Sequence, residues 1–275
     1  MTTPTSRDRF NRLVAGPDAS VDLAEASLLI AAEEYPGLDV PRYLERLDRM
    51  GRDVQARLER SPGVVEALNG YLFEEEGFRG NVEDYYDPRN SFLNEVIDRR
   101  TGIPITLSMI YMEVARRAGL GVFGVGLPGH FLVRAETAGR VVLVDPFHGG
   151  AVLSEADCQK RLDRVYDGRL RLEPGMLAPC PRKDILARML RNLKAIYVKK
   201  DDYARALRTI DLLLSLDPRS GEDLRDRGLL HAAFDCYGLA AADLEAYLAL
   251  APAAPEAFAL SVKITELRSL AARLN

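Results

Sequence analysis

"LPGHFLVRAETAGRVVLVDPFHGG" (127–150) sets a histidine at the head of one apolar run and an aspartate at the end of the next. "HFLVRAE" and "RVVLVDP" are Val-rich and bounded by Gly and Pro, the mark of strands, so the stretch reads as a β-hairpin turning around Thr137–Gly139. With a four-residue connection His130 falls directly opposite Asp145. Opposed side chains on one face have Cβ atoms roughly 4.5 to 5.5 Å apart, within hydrogen-bonding reach for an imidazole and a carboxylate; other registers separate the two by one pair. A histidine oriented by a carboxylate is the base of Cys/His/Asp and Ser/His/Asp chemistry. The same spacing also fits a histidine that starts a strand and an aspartate that opens a turn with Pro146.

Immediately upstream, "TGIPITLSMIYMEVARRAGL" (101–120) predicts a helix with Pro104 at its first position and Gly119 just past its end, burying Leu107, Ile110, Tyr111 and Val114. "GVFGVGLP" after it is β-like. Further back, Leu23, Ala26, Leu29, Ile30, Leu44, Leu47, Val54 and Leu58 recur at helical spacing, which predicts two or three amphipathic helices broken at Pro36 and Pro41. Residues 66–100 between them are polar and irregular, loops around a short helix beginning near Ser91. Asn81, Asp84, Asn90, Ser91 and Asn94 in this segment are candidates for fixing loop backbone or binding a polar group, and Asn and Asp at such places are commonly turn formers. The first half is thus α+β, with N-terminal helices preceding an antiparallel sheet.

Beyond about Pro181 no stretch reads as a strand, and the sequence repeats. "DDYARALRTIDLLLSLDP" and "CYGLAAADLEAYLALAP" superpose with a shift of 34 residues, Tyr203 on Tyr237, Ala206 on Ala240, Ile210 on Leu244 and Pro218 on Pro252. That period, with small residues at fixed places and a closing Pro, resembles the tetratricopeptide repeat. Leu190, Leu193 and Tyr197 fit the leading helix of the first unit. The second keeps Gly228 but has His231 where an aromatic is usual, and "EAFALSVKITELRSLAARLN" reads as a capping helix. Two units and a cap fall short of the three or so repeats that stand alone.

Composition narrows the function classes. The 275 residues are 47% hydrophobic, with a net charge of -4, so the chain can bury a core and carries no electrostatic footprint for nucleic acid. No apolar run approaches the roughly 18 to 20 residues that span a bilayer. The N-terminal stretch has no apolar central segment, and Cys158, Cys180 and Cys236 are irregularly spaced, forming neither a disulfide framework nor a metal pattern. A cytoplasmic protein with no cofactor, no nucleic-acid partner and no membrane contact is expected.

The segments "GNVEDYYDPRNSFLNEVIDRRTGIPITLSMIYMEVARRAGL", "LPGHFLVR" and "DPFHGG" together resemble the bacterial SirB-type family, in which a transglutaminase-like domain precedes tetratricopeptide repeats. The resemblance covers nearly the whole chain. It implies a papain/transglutaminase-like core over 1–182 and an all-α tetratricopeptide-like region over 183–275. It also implies that the loop over 80–94 lines the site.

Against the transglutaminase pattern, a Gly two residues before the reactive Cys, Gly102 takes the Gly position and Pro104 the Cys position. Proline has no reactive atom, so acyl transfer by a cysteine is excluded unless another cysteine folds into the site. Thr106 and Ser108 are the alternative nucleophiles, and a water activated by His130 is a third; each hydroxyl also reads simply as a helix residue bonding a carbonyl or packing. A metal site of His130, Asp145 and His148 is set aside, because "DPFHGG" reads as a turn and lacks closely spaced zinc ligands. The expectation is a pseudoenzyme acting as a protein-interaction or regulatory factor. The alternative is a hydrolase or acyltransferase built on His130 and Asp145. Arg191, Lys194, Lys199, Lys200 and Arg227 on the leading repeat helices would favour an acidic segment of a protein or peptide partner.

Overall fold

The structure, a computed structural model, describes residues 4–60, 63–137 and 139–274. They form two compact units, Met1–Met189 and Leu190–Asn275.

Helix α1 (Ser6–Val14) opens the first unit, followed by α2 (Leu23–Ala32) and α3 (Val40–Leu58). Asp22 and Asp39 cap the latter two, each accepting a backbone N–H three residues on, which satisfies donors that a helix start leaves open. Pro36 lies in the loop between them, whereas Pro41 sits inside the first turn of α3, where its missing N–H costs nothing. Residues 66–75, expected as loop, are helical: α4 (Val64–Asn69) runs straight into a π-helical turn, Gly70–Glu75. The two-residue strands β1 (Arg79–Gly80) and β2 (Thr101–Gly102) pair in parallel around α5 (Leu93–Arg99).

Helix α6 (Pro104–Arg117) is the axis of this unit. Every residue from Pro104 to Ala115 is buried, and the helix packs against α2, α3, α5 and the sheet. An apolar stripe predicts one buried face; being surrounded buries them all. Its one buried acid, Glu113, is paired with Arg116 and Arg117, as an interior charge must be. The sheet is a four-stranded antiparallel meander, β3 (Val122–Val125), β4 (Leu132–Thr137), β5 (Arg140–Asp145) and β6 (Ala151–Leu153). Helix α7 (Glu155–Tyr166) packs on it through Cys158 and Leu162, against Leu132 and Leu143.

The hairpin register differs from the expected one. Thr137 pairs with Arg140, so the connection has two residues rather than four; Ala138, within it, lies outside the described residues. Every partner moves by two residues, Val144 faces Val133 instead of Phe131, and His130 lies before β4 rather than opposite Asp145 on the sheet.

Helix α8 (Arg182–Lys199) contributes residues to both units. The second unit continues with α9 (Tyr203–Leu216), α10 (Gly221–Ala233), α11 (Tyr237–Leu250) and α12 (Ala257–Leu274). Its repeat is atomic as well as textual. Asp201 and Asp235, 34 residues apart, both adopt left-handed backbone, at φ 55° and 59°. Each carboxylate accepts the hydroxyl of the tyrosine two residues on, Tyr203 at 2.8 Å and Tyr237 at 2.7 Å. Ala206 and Ala240, Ile210 and Leu244 are all fully buried. A Cβ on Gly228 would come within 2.8 Å of the Leu244 side chain, so α10 and α11 touch only through a glycine there.

Candidate functional site

Asp145 ends β5 and caps the 3-10 turn Pro146–His148, its Oδ1 accepting the backbone N–H groups of Phe147 (3.1 Å) and His148 (3.4 Å). That capping fixes the carboxylate and folds "DPFHGG" back on itself. The other oxygen, Oδ2, receives His130 Nε2 at 2.9 Å, His148 Nδ1 at 2.8 Å and Arg161 Nη2 at 2.7 Å. The Asp145 side chain is completely enclosed. Burial alone would raise its carboxyl, but the hydrogen bond and charge of His130, with His148 and Arg161 behind them, outweigh that and hold it below the usual carboxylate range. Because an ionised carboxylate only accepts, the proton of a neutral His130 sits on Nε2. Nδ1, with no hydrogen-bond partner among the described residues, is left with the lone pair of a base.

The expected His130–Asp145 contact therefore forms, although by another route than cross-strand opposition. His130 follows a tight turn whose N–H bonds Leu127 O at 3.0 Å. Arg188 of α8 holds that turn, donating to Leu127 O at 2.9 Å and His130 O at 2.7 Å, with its guanidinium over Phe131. From the other side, Asn69 at the end of α4 donates to Gly150 O at 2.8 Å and accepts from the Tyr111 hydroxyl at 3.2 Å. Gly80 of β1 lies so close to the turn that an added Cβ would meet Phe147 O at 2.6 Å. An aromatic rim borders the imidazoles: Phe147 is 6.3 Å from His130 and 6.1 Å from Tyr85, ring centre to ring centre, and Tyr85 is 5.3 Å from Tyr86. Tyr86 and Val82 stand out into solvent.

None of the candidate nucleophile side chains bonds His130 among the described residues. Pro104 occupies the first position of α6. The Thr106 hydroxyl donates to Asn90 O at 2.7 Å and accepts the Ile103 N–H at 3.1 Å, in a fully buried place. Ser108 is also fully buried and its hydroxyl has no hydrogen-bond partner among the described residues. Neither bonds His130. Among the cysteines, Cys158 is buried on α7, where burial raises its thiol, and burial pushes the Cys180 thiol up to about 11; Cys236 belongs to the second unit. A thiolate nucleophile needs the opposite shift.

Two of the polar loop residues bond to each other and to loop backbone. Asn81 Nδ2 donates to Asn90 Oδ1 at 3.1 Å, and Asn90 Nδ2 donates to Asp84 O at 2.7 Å. Asn90, Ser91 and Asn94 are buried, while Asp84 is exposed and gives its N–H to Asn81. Asn81 and Asn90 thus bond loop backbone, whereas Ser91 Oγ and Asn94 Oδ1 are buried with no hydrogen-bond partner among the described residues. Arg161, Arg188 and Asn69 carry no signal in the sequence, whereas His148 stands in "DPFHGG" and the turn brings its Nδ1 to Asp145.

In the second unit the expected basic face is partly cancelled. Lys194 Nζ lies 2.8 Å from Asp223 and 2.6 Å from Asp226. Arg227 bonds Asp243 at 2.7 Å and Asp211 at 3.0 Å, and His231 joins Asp243 at 3.1 Å. An acidic partner would have to compete with these internal carboxylates.

A transglutaminase-like superfamily model matches residues 41–191, and a tetratricopeptide repeat model matches residues 193–264. Among relatives, a UPF0162 protein of Xylella fastidiosa is 39% identical over 249 residues, which is 88% of this chain and 89% of the relative. A UPF0162 protein of Pseudomonas aeruginosa is 31% identical, over 89% of this chain and 90% of its own, and one of Vibrio cholerae is 30% identical over 85% of each. No solved structure matches the chain. No helix among the described residues is long and apolar enough to cross a membrane. With its site built between the buried helix and the hairpin, and with a family model covering that whole segment, the chain belongs to the transglutaminase-like superfamily and to the bacterial UPF0162 family.

Proposed function

We propose that this is a non-catalytic transglutaminase-like protein of the SirB type, a cytoplasmic protein-interaction or regulatory factor. One observation carries the reading: a base and its orienter, His130 and Asp145, stand in place while the N-terminal end of α6 offers Pro104 and two buried hydroxyls that make no bond to the base. A hydroxyl is a far weaker acid than a thiol and needs a base in contact, so neither Thr106 nor Ser108 is activated. What the site does present is an aromatic rim, Tyr85, Tyr86 and Phe147, of the kind that anchors protein interfaces. Tetratricopeptide repeats commonly bind protein segments, which adds a second surface of the same class.

The alternative, hydrolysis through a water on His130 Nδ1, has the free ring nitrogen in its favour. One experiment separates the two. The full chain and His130→Ala are assayed for amine incorporation into a glutaminyl peptide and for peptide or ester hydrolysis. The two proteins are expected to be equally inactive. Turnover by the wild type that His130→Ala abolishes would establish the enzyme in its place.

A further inference from the structure

His130, Asp145 and His148 each bring one metal-ligating atom to the same point, all within 4.8 Å of one another. The arrangement around Asp145 is crowded. Three N–H donors converge on Oδ2 between 2.7 and 2.9 Å, whereas a carboxylate oxygen has two lone pairs to give. The carboxylate cannot turn to share the load, because Oδ1 is tied to two backbone N–H groups. One donor is therefore surplus to what the carboxylate can accept.

We propose that His130 Nε2, His148 Nδ1 and Asp145 Oδ2 form a binding site for a divalent metal ion of the zinc class. Two imidazole nitrogens and a carboxylate oxygen suit zinc and its late first-row neighbours, while magnesium and calcium take oxygen donors. Each neutral ring needs only the other tautomer, with the proton moved to His130 Nδ1 and to His148 Nε2, to turn a lone pair on the ion. Metal–ligand bonds of roughly 2.0 to 2.2 Å in a tetrahedral site require gaps between ligand atoms about half an ångström wider than those present. The backbone bonds to Oδ1 already supply the outer support that orients a metal-bound carboxylate. His148 is half exposed, so the ion has a way in and a coordination position for water. Arg161, the cation that competes for Oδ2 among the described residues, is partly exposed and can withdraw to solvent. The proposal is independent of the partner-binding reading, since a chain that captures no protein can still hold the ion.

The test uses the full chain with Cys236→Ser, which removes an exposed thiol outside the site. Zinc is titrated in competition with a chromogenic chelator, and cobalt is followed by visible absorption. We expect one ion per chain and a cobalt spectrum without thiolate charge transfer. His148→Ala weakens zinc binding at least tenfold, and Arg161→Ala tightens it by removing the competing cation. His148→Gln and Arg161→Gln repeat the comparison if either alanine variant loses its fold. Absence of stoichiometric binding, affinity unchanged by both His148 variants, or a thiolate band in the cobalt spectrum would overturn the proposal.

Discussion

Asp145 is the residue on which the site depends, and its two ends behave differently toward change. As an enclosed carboxylate facing two imidazoles and a guanidinium, it leaves all three without their acceptor when replaced by Asn, so Asp145→Asn is expected to cost about 3 kcal/mol in urea unfolding at neutral pH. The pH dependence follows from its lowered acidity. A carboxyl held below the usual 3.8 in the folded protein binds fewer protons there than in the unfolded chain, so its stabilisation is present above that pH and is lost as pH falls below it. Acid unfolding from about pH 4 downward should therefore be steeper in the wild type than in Asp145→Asn. Pro104 permits the converse experiment, gain of chemistry. In Pro104→Cys a thiol stands at the N-terminus of a 14-residue helix, whose free N–H groups favour the thiolate, so it should titrate below the ~8.5 of a free cysteine. A value at or above that would mean that position 104 does not correspond to the reactive position of the superfamily. His130 and Asp145 were legible in the sequence because one is a polar residue opening an apolar run and the other a polar residue closing the next. Arg161 and Arg188 were not, since an arginine on a helix is ordinarily a solvated one.

The turn 146–150 is the element that assembles the site, and it is held from outside. Asn69 grips its far end and Gly80 lies against its middle, both from segments that sequence reading left as loop. Gly80→Ala must push Phe147 O away from 2.6 Å, and overpacking of this kind typically costs about 1 to 3 kcal/mol. More tellingly, it should displace His148, seen as a changed imidazole resonance in NMR spectra, while the resonances of the second unit stay in place. If both histidine spectra and the melting temperature are unchanged, the turn is not braced by β1. Helix α6 was legible from Pro104 and Gly119 alone, because caps report on the backbone directly. The hairpin register was not, since the choice between a two-residue and a four-residue turn is made by backbone conformation at Gly139, which has φ +72°, and by the packing of β4, neither of which alternation encodes. Residues 66–75 look irregular in sequence, yet Ala67, Leu68, Tyr71 and Leu72 are buried on helical backbone, and the π-helical turn spaces them off the regular helical period.

Across the whole chain, the joint between the units runs through α8. Its first turns belong to the first unit: Asp18 caps them by accepting the N–H groups of Arg182 and Lys183, Ile185 and Met189 are buried, and Arg188 holds the His130 turn. A fragment ending at 182 would keep the Arg182 N–H but lose that of Lys183, together with Ile185, Arg188 and Met189. Residues 1–199 are therefore expected to give a soluble, cooperatively melting protein, and residues 1–182 one that melts lower or aggregates; equal behaviour in gel filtration and thermal melts would show that α8 is dispensable to the first unit. The two-part organisation was legible because a 34-residue period and a strand–turn–strand pattern are different alphabets. The place of the joint was not, since a continuous helix carries no punctuation. The matched turns of the second part have a consequence for how such a chain grows. Because Asp201 and Asp235 reverse the chain identically and are followed at the same distance by a tyrosine that locks the bend, a tandem copy of residues 203–236 would meet its neighbour at a join already written into the sequence. One unequal crossover could lengthen the array by a helix pair without inventing a new corner.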